Sequence, residues 1–135
     1  MNRSRELAQV LLDKARGDAW MLAHVVEQPD APAWAMGFHA QQAVEKALKA
    51  VLTANCVDYP RTHNLGLLVD LLRQHAPCLP PDAEELARLT PFGALLRYDD
   101  DSEMGRSTPP IDRTWMRKCV ERTLSWGTDI LAQLT

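Results

Sequence analysis

The run from Phe38 to Leu52 constrains the fold more than any other part of this chain. Strong helix formers fill it almost throughout, so it reads as the heart of a helix from about Ala33 to Asn55. At about 100° per residue its side chains sort into three strips. His39, Gln42, Lys46 and Lys49 share one strip, with Glu45 at its edge. Val44, Leu48, Val51 and Leu52 form a second. Ala43, Ala47, Ala50 and Ala54 form a third, small enough for a neighbouring helix to come close. A surface helix needs a single apolar face. This one has two packing faces beside an ordered polar stripe, so it is expected at the centre of the fold, with other helices around it.

The remaining patterns supply those helices. Leu7, Val10, Leu11, Ala15, Leu22 and Val25 keep a helical period from about Ser4 to Val26, and Asp18 falls on the same apolar side. A carboxylate there is costly unless paired, so Asp18 is expected to contact Lys46, Arg97 or another cation. Gln28-Pro29-Asp30-Ala31-Pro32 ends the pattern. Beyond a loop at Cys56 to His63, Leu65, Leu67, Leu68, Val69, Leu71 and Leu72 mark a short third helix that stops before Pro77. Thr62 or Asn64 is its expected N-cap. A fourth helix is expected from Pro80-Pro81-Asp82 to Tyr98, capped by Asp82 and broken near Thr90, because Pro91 lacks a donor and crowds the preceding turn. Asp99 to Pro110 has no apolar period and reads as an exposed acidic loop. A last helix runs from Pro109 or Ile111 to Leu134, with Trp115, Cys119, Val120, Leu124, Gly127, Ile130, Leu131 and Leu134 inward. No strand pattern and no internal repeat occur. The expectation is one all-α domain over residues 1–135, an antiparallel bundle of four main helices plus a short additional one.

Composition narrows the function classes. A net charge of −3 argues against a broad electrostatic grip on nucleic acid, though not against a small basic pocket. Cys56, Cys78 and Cys119 are odd in number, widely spaced and form no C-x-x-C pair, so neither a disulfide framework nor a zinc site is indicated. The N-terminus leads into a charged amphipathic segment without an apolar signal core, and no run approaches a membrane span. The expected location is the cytoplasm. The Trp and Leu content of the terminal helices leaves apolar surface to spare, so a homodimer is expected.

Alternating helices place Lys49, Thr62, His63, Arg97, Tyr98 and the acidic loop at one pole. Lys46 lies toward that pole, and His39 is left on the order of 15 Å from Lys49, too far to share a metal site with His63. Each residue also has a plain structural role open to it. Lys46 and Lys49 are solvated cations or partners of Glu45 and Asp18. His63 finishes a helix N-terminus, Arg97 sits at a helix C-terminus, and Tyr98 is a core aromatic.

The pattern F-H-A-Q-Q-A-V-E-K-A-L-K-A-V-L, followed by Y-P-R-T-H-N-L-G-L-L and L-L-R-Y, resembles the HEPN domain family, and within it the small stand-alone bacterial branch. The resemblance covers nearly the whole chain, including A-R-G-D-A-W around Asp18. It implies an antiparallel helical bundle that commonly forms dimers. It also implies a role beside a minimal nucleotidyltransferase, in systems resembling toxin–antitoxin pairs. Other members of the family are metal-independent RNases with an R-x(4–6)-H motif near the start of the final helix. Here no histidine follows Arg97, Arg106, Arg113 or Arg117, because His75 is the last in the chain. General acid–base catalysis by that histidine therefore does not carry over, and the carboxylates after Arg97 repel phosphate.

What carries over is Gln42, Glu45, Lys46 and Lys49, with His63 and Arg97-Tyr98. In the nucleotide-binding reading Lys46, Lys49 and Arg97 meet the phosphates of ATP or GTP and His63 donates a hydrogen bond, with Asp18, Gln42, Glu45 and Tyr98 in support. No cofactor and no metal ligand set is expected. Two alternatives stand beside it: an RNase with an altered site built on His63 and Arg97, and a dimerisation scaffold in which the stripe is a buried polar network.

Overall fold

The computed structural model describes residues 2–97 and 112–134, with residues 2 and 94–97 described for their backbone alone. It contains helices α1 (Asn2–Val25), α2 (Ala33–Ala54) and α3 (Leu65–His75), a 3₁₀ segment (Leu86–Arg97) and helix α4 (Arg113–Gln133). No strand occurs among the described residues. Helix α2 touches each of the other four elements, and twelve of its residues are buried. The all-α bundle with this helix at its centre follows from the two apolar strips beside the polar one.

Two of the outer helices depart from the sequence pattern in detail, and α3 takes one of its two expected caps. Helix α1 turns Ala8, Leu12, Ala15 and Leu22 inward, with Val26 buried just past its end, while Leu7 and Val10 lie half exposed on its outer side. Helix α3 takes Asn64 as its cap, the side chain accepting from Leu67 N at 3.2 Å; Thr62 Oγ1 instead accepts from Asn64 N at 3.0 Å. Helix α4 starts later than expected, because Asp112 accepts from the N–H groups of Thr114 and Trp115. Its inner face also includes Met116, Thr123 and Trp126.

The expected fourth helix is not an α-helix. Asp82 does not cap one; it sits in a turn at φ 61°, and the chain then winds as 3₁₀ from Leu86 to Arg97. Leu86, Leu89 and Phe92 are all buried, whereas Ala87, Arg88 and Pro91 are exposed. That is a period of three, the repeat of a 3₁₀ helix. An α-helix would bring Thr90, which is only half-buried, onto the same ridge, and Pro91 could not donate its i→i−4 bond. The segment sits tightly on α2. A Cβ on Gly37 would meet the Phe92 ring at 2.2 Å, and one on Gly93 would meet the Gln41 side chain at 2.7 Å. Thr90 Oγ1 also accepts from Leu65 N at 3.1 Å, tying the segment to the start of α3.

The start of α4 is fastened to the end of α1. The Arg113 guanidinium donates to the carbonyls of Val26, Gln28 and Pro29 at 2.6, 3.0 and 3.3 Å. These carbonyls lack helical partners because α1 ends there. Arg113→Ala is expected to lower the unfolding free energy by about 2 kcal/mol, read by urea denaturation. At the other end of the bundle the Arg5 guanidinium donates to the carbonyl of Leu134. All three cysteines are free thiols; burial, then Asp82 and Glu85, push Cys119 up to about 11. No helix among the described residues is long and apolar enough to cross a membrane.

Candidate functional site

The polar stripe of α2 is two networks rather than one. The first joins α2 to α1. Lys46 Nζ donates to Asp18 Oδ2 at 2.6 Å, and His39 Nδ1 lies 3.2 Å from Asp18 Oδ1. Asp18 thus has the cationic partner that its place on the apolar side of α1 required. His39 does not stand alone at a far end; it shares that carboxylate with Lys46. The two lie seven positions apart on α2, close to two full turns, and so nearly on one line.

The second network joins α2 to the turn before α3. Glu45 is 4% exposed. Its Oε1 accepts from Gln41 Nε2 and from His63 Nδ1, each at 2.8 Å, and its Oε2 accepts from Lys49 Nζ at 2.9 Å. Gln41 Nε2 also donates to the carbonyl of His63 at 3.1 Å, and Gln41 Oε1 accepts from Gln42 Nε2 at 2.7 Å. Lys49 lies 5.6 Å from the centre of the Tyr59 ring, a weak additional hold on its charge. Lys49 belongs here and not with Lys46, because three positions along a helix rotate a side chain by roughly 60° off the line.

Electrostatics make Glu45 the anchor. Burial is the largest single influence on its carboxyl and works to raise its pKa. Hydrogen bonds from Gln41, Lys49 and His63, with the Lys49 charge, together outweigh it, and the carboxyl sits below its ordinary value of 4.5. An ionised Glu45 only accepts, so the proton between it and His63 belongs on His63 Nδ1. A buried carboxylate held by three donors is a poor proton acceptor for catalysis.

Of the expected phosphate-binding residues, the structure joins Lys49 and His63 through Glu45 and sends Lys46 to the other network. Arg97 is described for its backbone alone, at the end of the 3₁₀ segment, and Tyr98 and the acidic stretch after it lie outside the described residues. Lys46 and Lys49 each already face a carboxylate, so an incoming phosphate would have to compete with Asp18 and Glu45. The residue that sequence reasoning passed over is Gln41, which is fully buried. Its signal was present: Gln41, Glu45 and Lys49 recur at intervals of four and line one face. Among the described residues no group of three His, Cys, Asp or Glu side chains is placed to hold a metal ion.

These pairings tie together the residues on which the sequence resemblance rested, and a direct comparison bears on them. A family model of the HEPN domain matches residues 8–125 of the 135. The chain belongs to the HEPN family. The match takes in both polar networks, the 3₁₀ segment and more than half of α4. No curated protein and no solved structure shows significant similarity to the chain. The HEPN fold here therefore positions two compact ion-pair networks on adjacent flanks of α2, one bracing α1 and one bracing the α2–α3 turn.

Proposed function

We propose that this HEPN chain is a non-catalytic regulatory module that works with a minimal nucleotidyltransferase in a toxin–antitoxin-like pair. The observation that carries the non-catalytic part is the commitment of His63 and Lys49 to the buried Glu45 carboxylate. The histidine available to a degenerate nuclease site is engaged in holding the α2–α3 turn, and no histidine follows Arg97 to replace it. The partner class rests on family membership. Direct phosphate binding by Lys46, Lys49, His63 and Arg97 is the less favoured part of the reading, since it requires ATP or GTP to displace the carboxylates already paired with both lysines.

The test is sequencing of the genes that flank the chain's own, co-expression with a minimal nucleotidyltransferase found there, then size-exclusion chromatography and an RNA cleavage assay; no such gene beside it counts against the partnership. Co-elution in a defined ratio, with RNA left intact in metal-free buffer, is the expected result. RNA cleavage that disappears in His63→Ala would replace this proposal with the nuclease reading. Failure to co-elute removes the regulatory partnership. Calorimetry of the chain with ATP and GTP separates off the nucleotide component: strong binding lost in Lys49→Ala would move the lysines from bracing to ligand contact.

A further inference from the structure

A cavity of about 530 Å³ opens between α4 and the chain that joins α3 to the 3₁₀ segment. That volume suits a small-molecule ligand. Glu121, Ser125 and Asp129 recur at intervals of four, with Arg122 and Trp126 beside them, so one face of α4 forms one wall. Leu79 and Pro81 form the other. None of these residues belongs to the networks around Asp18 and Glu45.

The polar groups of this cavity are left open in a complementary way. Trp126 is 7% exposed, and its indole N–H has no hydrogen-bond partner. A buried donor left unpaired is costly and calls for an acceptor. Arg122 engages Asp82 through Nη1 alone, at 3.4 and 3.3 Å from the two carboxylate oxygens. The other guanidinium donors are free to hold an anion. Glu121 and Asp129 are exposed, and neither takes part in a hydrogen bond or ion pair among the described residues. Eight positions along α4 set them about 12 Å apart.

These groups call for one anionic acceptor beside Arg122 and the indole, and for two cations, one at each end of an apolar wall. A free basic amino acid carries all three. Its α-ammonium and α-carboxylate sit on one carbon, as Glu121 and Arg122 sit side by side at one end of the cavity. Its side-chain cation stands off on an alkyl chain, as Asp129 stands off beyond Trp126. A nucleotide fits poorly, because its phosphates would face two unpaired carboxylates.

We propose that this cavity binds a free basic amino acid, arginine or lysine. The α-carboxylate lies at Arg122 and the Trp126 indole, the α-ammonium at Glu121 and the side-chain cation at Asp129. The proposal is independent of the regulatory reading above.

Calorimetry of the full chain with L-arginine and L-lysine tests it. Saturable binding of one ligand per chain is expected for at least one of the two. Agmatine, which is arginine without its carboxylate, is expected to bind at least about tenfold more weakly. Asp129→Asn and Glu121→Gln are each expected to weaken binding by a similar factor, with helicity unchanged by circular dichroism because both positions are exposed. Trp126→Phe, which removes the indole donor, is expected to weaken it as well. Absence of binding by both amino acids at millimolar concentration overturns the proposal. So does agmatine binding as tightly as arginine, or an Asp129→Asn, Glu121→Gln double variant that binds like wild type. Arginine blocked at both its amino and carboxyl groups binding as tightly as the free amino acid also overturns it, and would make the cavity a seat for a basic side chain of a peptide.

Discussion

Glu45→Ala is expected to lower the unfolding free energy by about 3–5 kcal/mol, a large effect for a polar substitution. The loss does not measure the worth of one ion pair. Removing the carboxylate takes the shared acceptor from the Lys49 ammonium, the Gln41 amide and the His63 Nδ1–H at once. Urea denaturation followed by circular dichroism measures it. Glu45→Gln, which keeps the shape but not the charge, is expected to fall between wild type and alanine. The same carboxyl gives the protein an acid-sensitive component. Its pKa is lower in the folded chain than its ordinary 4.5, so the unfolded chain binds the proton more readily. The stability it contributes is therefore fully present above that ordinary value and is lost as pH falls through the depressed folded value. In Glu45→Gln that part of the acid limb should flatten. An unchanged acid limb would show that another group governs it.

Gly37→Ala is expected to destabilise by about 1–3 kcal/mol, although the same change in an exposed helix would stabilise by close to 1 kcal/mol. The reversal of sign comes from the Phe92 ring, which occupies the space where a Cβ would go. The ring is buried on every side, so it cannot swing away without breaking the contact between the 3₁₀ segment and α2. Combining Gly37→Ala with Phe92→Leu is expected to cost less than the two changes added separately, because a smaller side chain makes room for the methyl. Additive costs in that cycle would mean that glycine and ring are not in contact in solution. Thermal unfolding of the four proteins is sufficient to read it.

Where the residues of α2 point was legible from their spacing, because a helical period carries direction. The two alanine- and leucine-bearing strips place α2 at the centre, and an Asp18 on the apolar side of α1 calls for a cationic partner. The grouping of the polar side chains was harder to see. Spacing along α2 turns Lys49 roughly 60° away from Lys46, but it does not say which neighbouring element reaches each of them. Asp18 arrives from α1 and His63 from the turn before α3, and only the packing of three elements fixes that assignment. Gln41 was missed because glutamine carries no charge to draw attention, although its interval to Glu45 was in view. The 3₁₀ segment was misread for a different reason. Apolar residues three apart fit one turn of an α-helix as well, and the distinction rests on what stands at the fourth position after Leu86, Thr90, and on the proline that follows it.

The 3₁₀ winding also makes this segment a ruler. A 3₁₀ turn advances about 2.0 Å per residue against about 1.5 Å in an α-helix. The twelve residues from Leu86 to Arg97 therefore span about 24 Å, where an α-helix of equal length would reach about 18 Å. That length is metered by a single ridge, with Leu86, Leu89 and Phe92 set at fixed intervals along α2. Adding or deleting one residue between Leu86 and Phe92 would turn every later side chain by about a third of a revolution. The next buried position would then be offered to solvent, and the chain would reach Arg97 out of phase with α2. Substitutions on the exposed side of the segment are tolerable in a way that a change in its length is not.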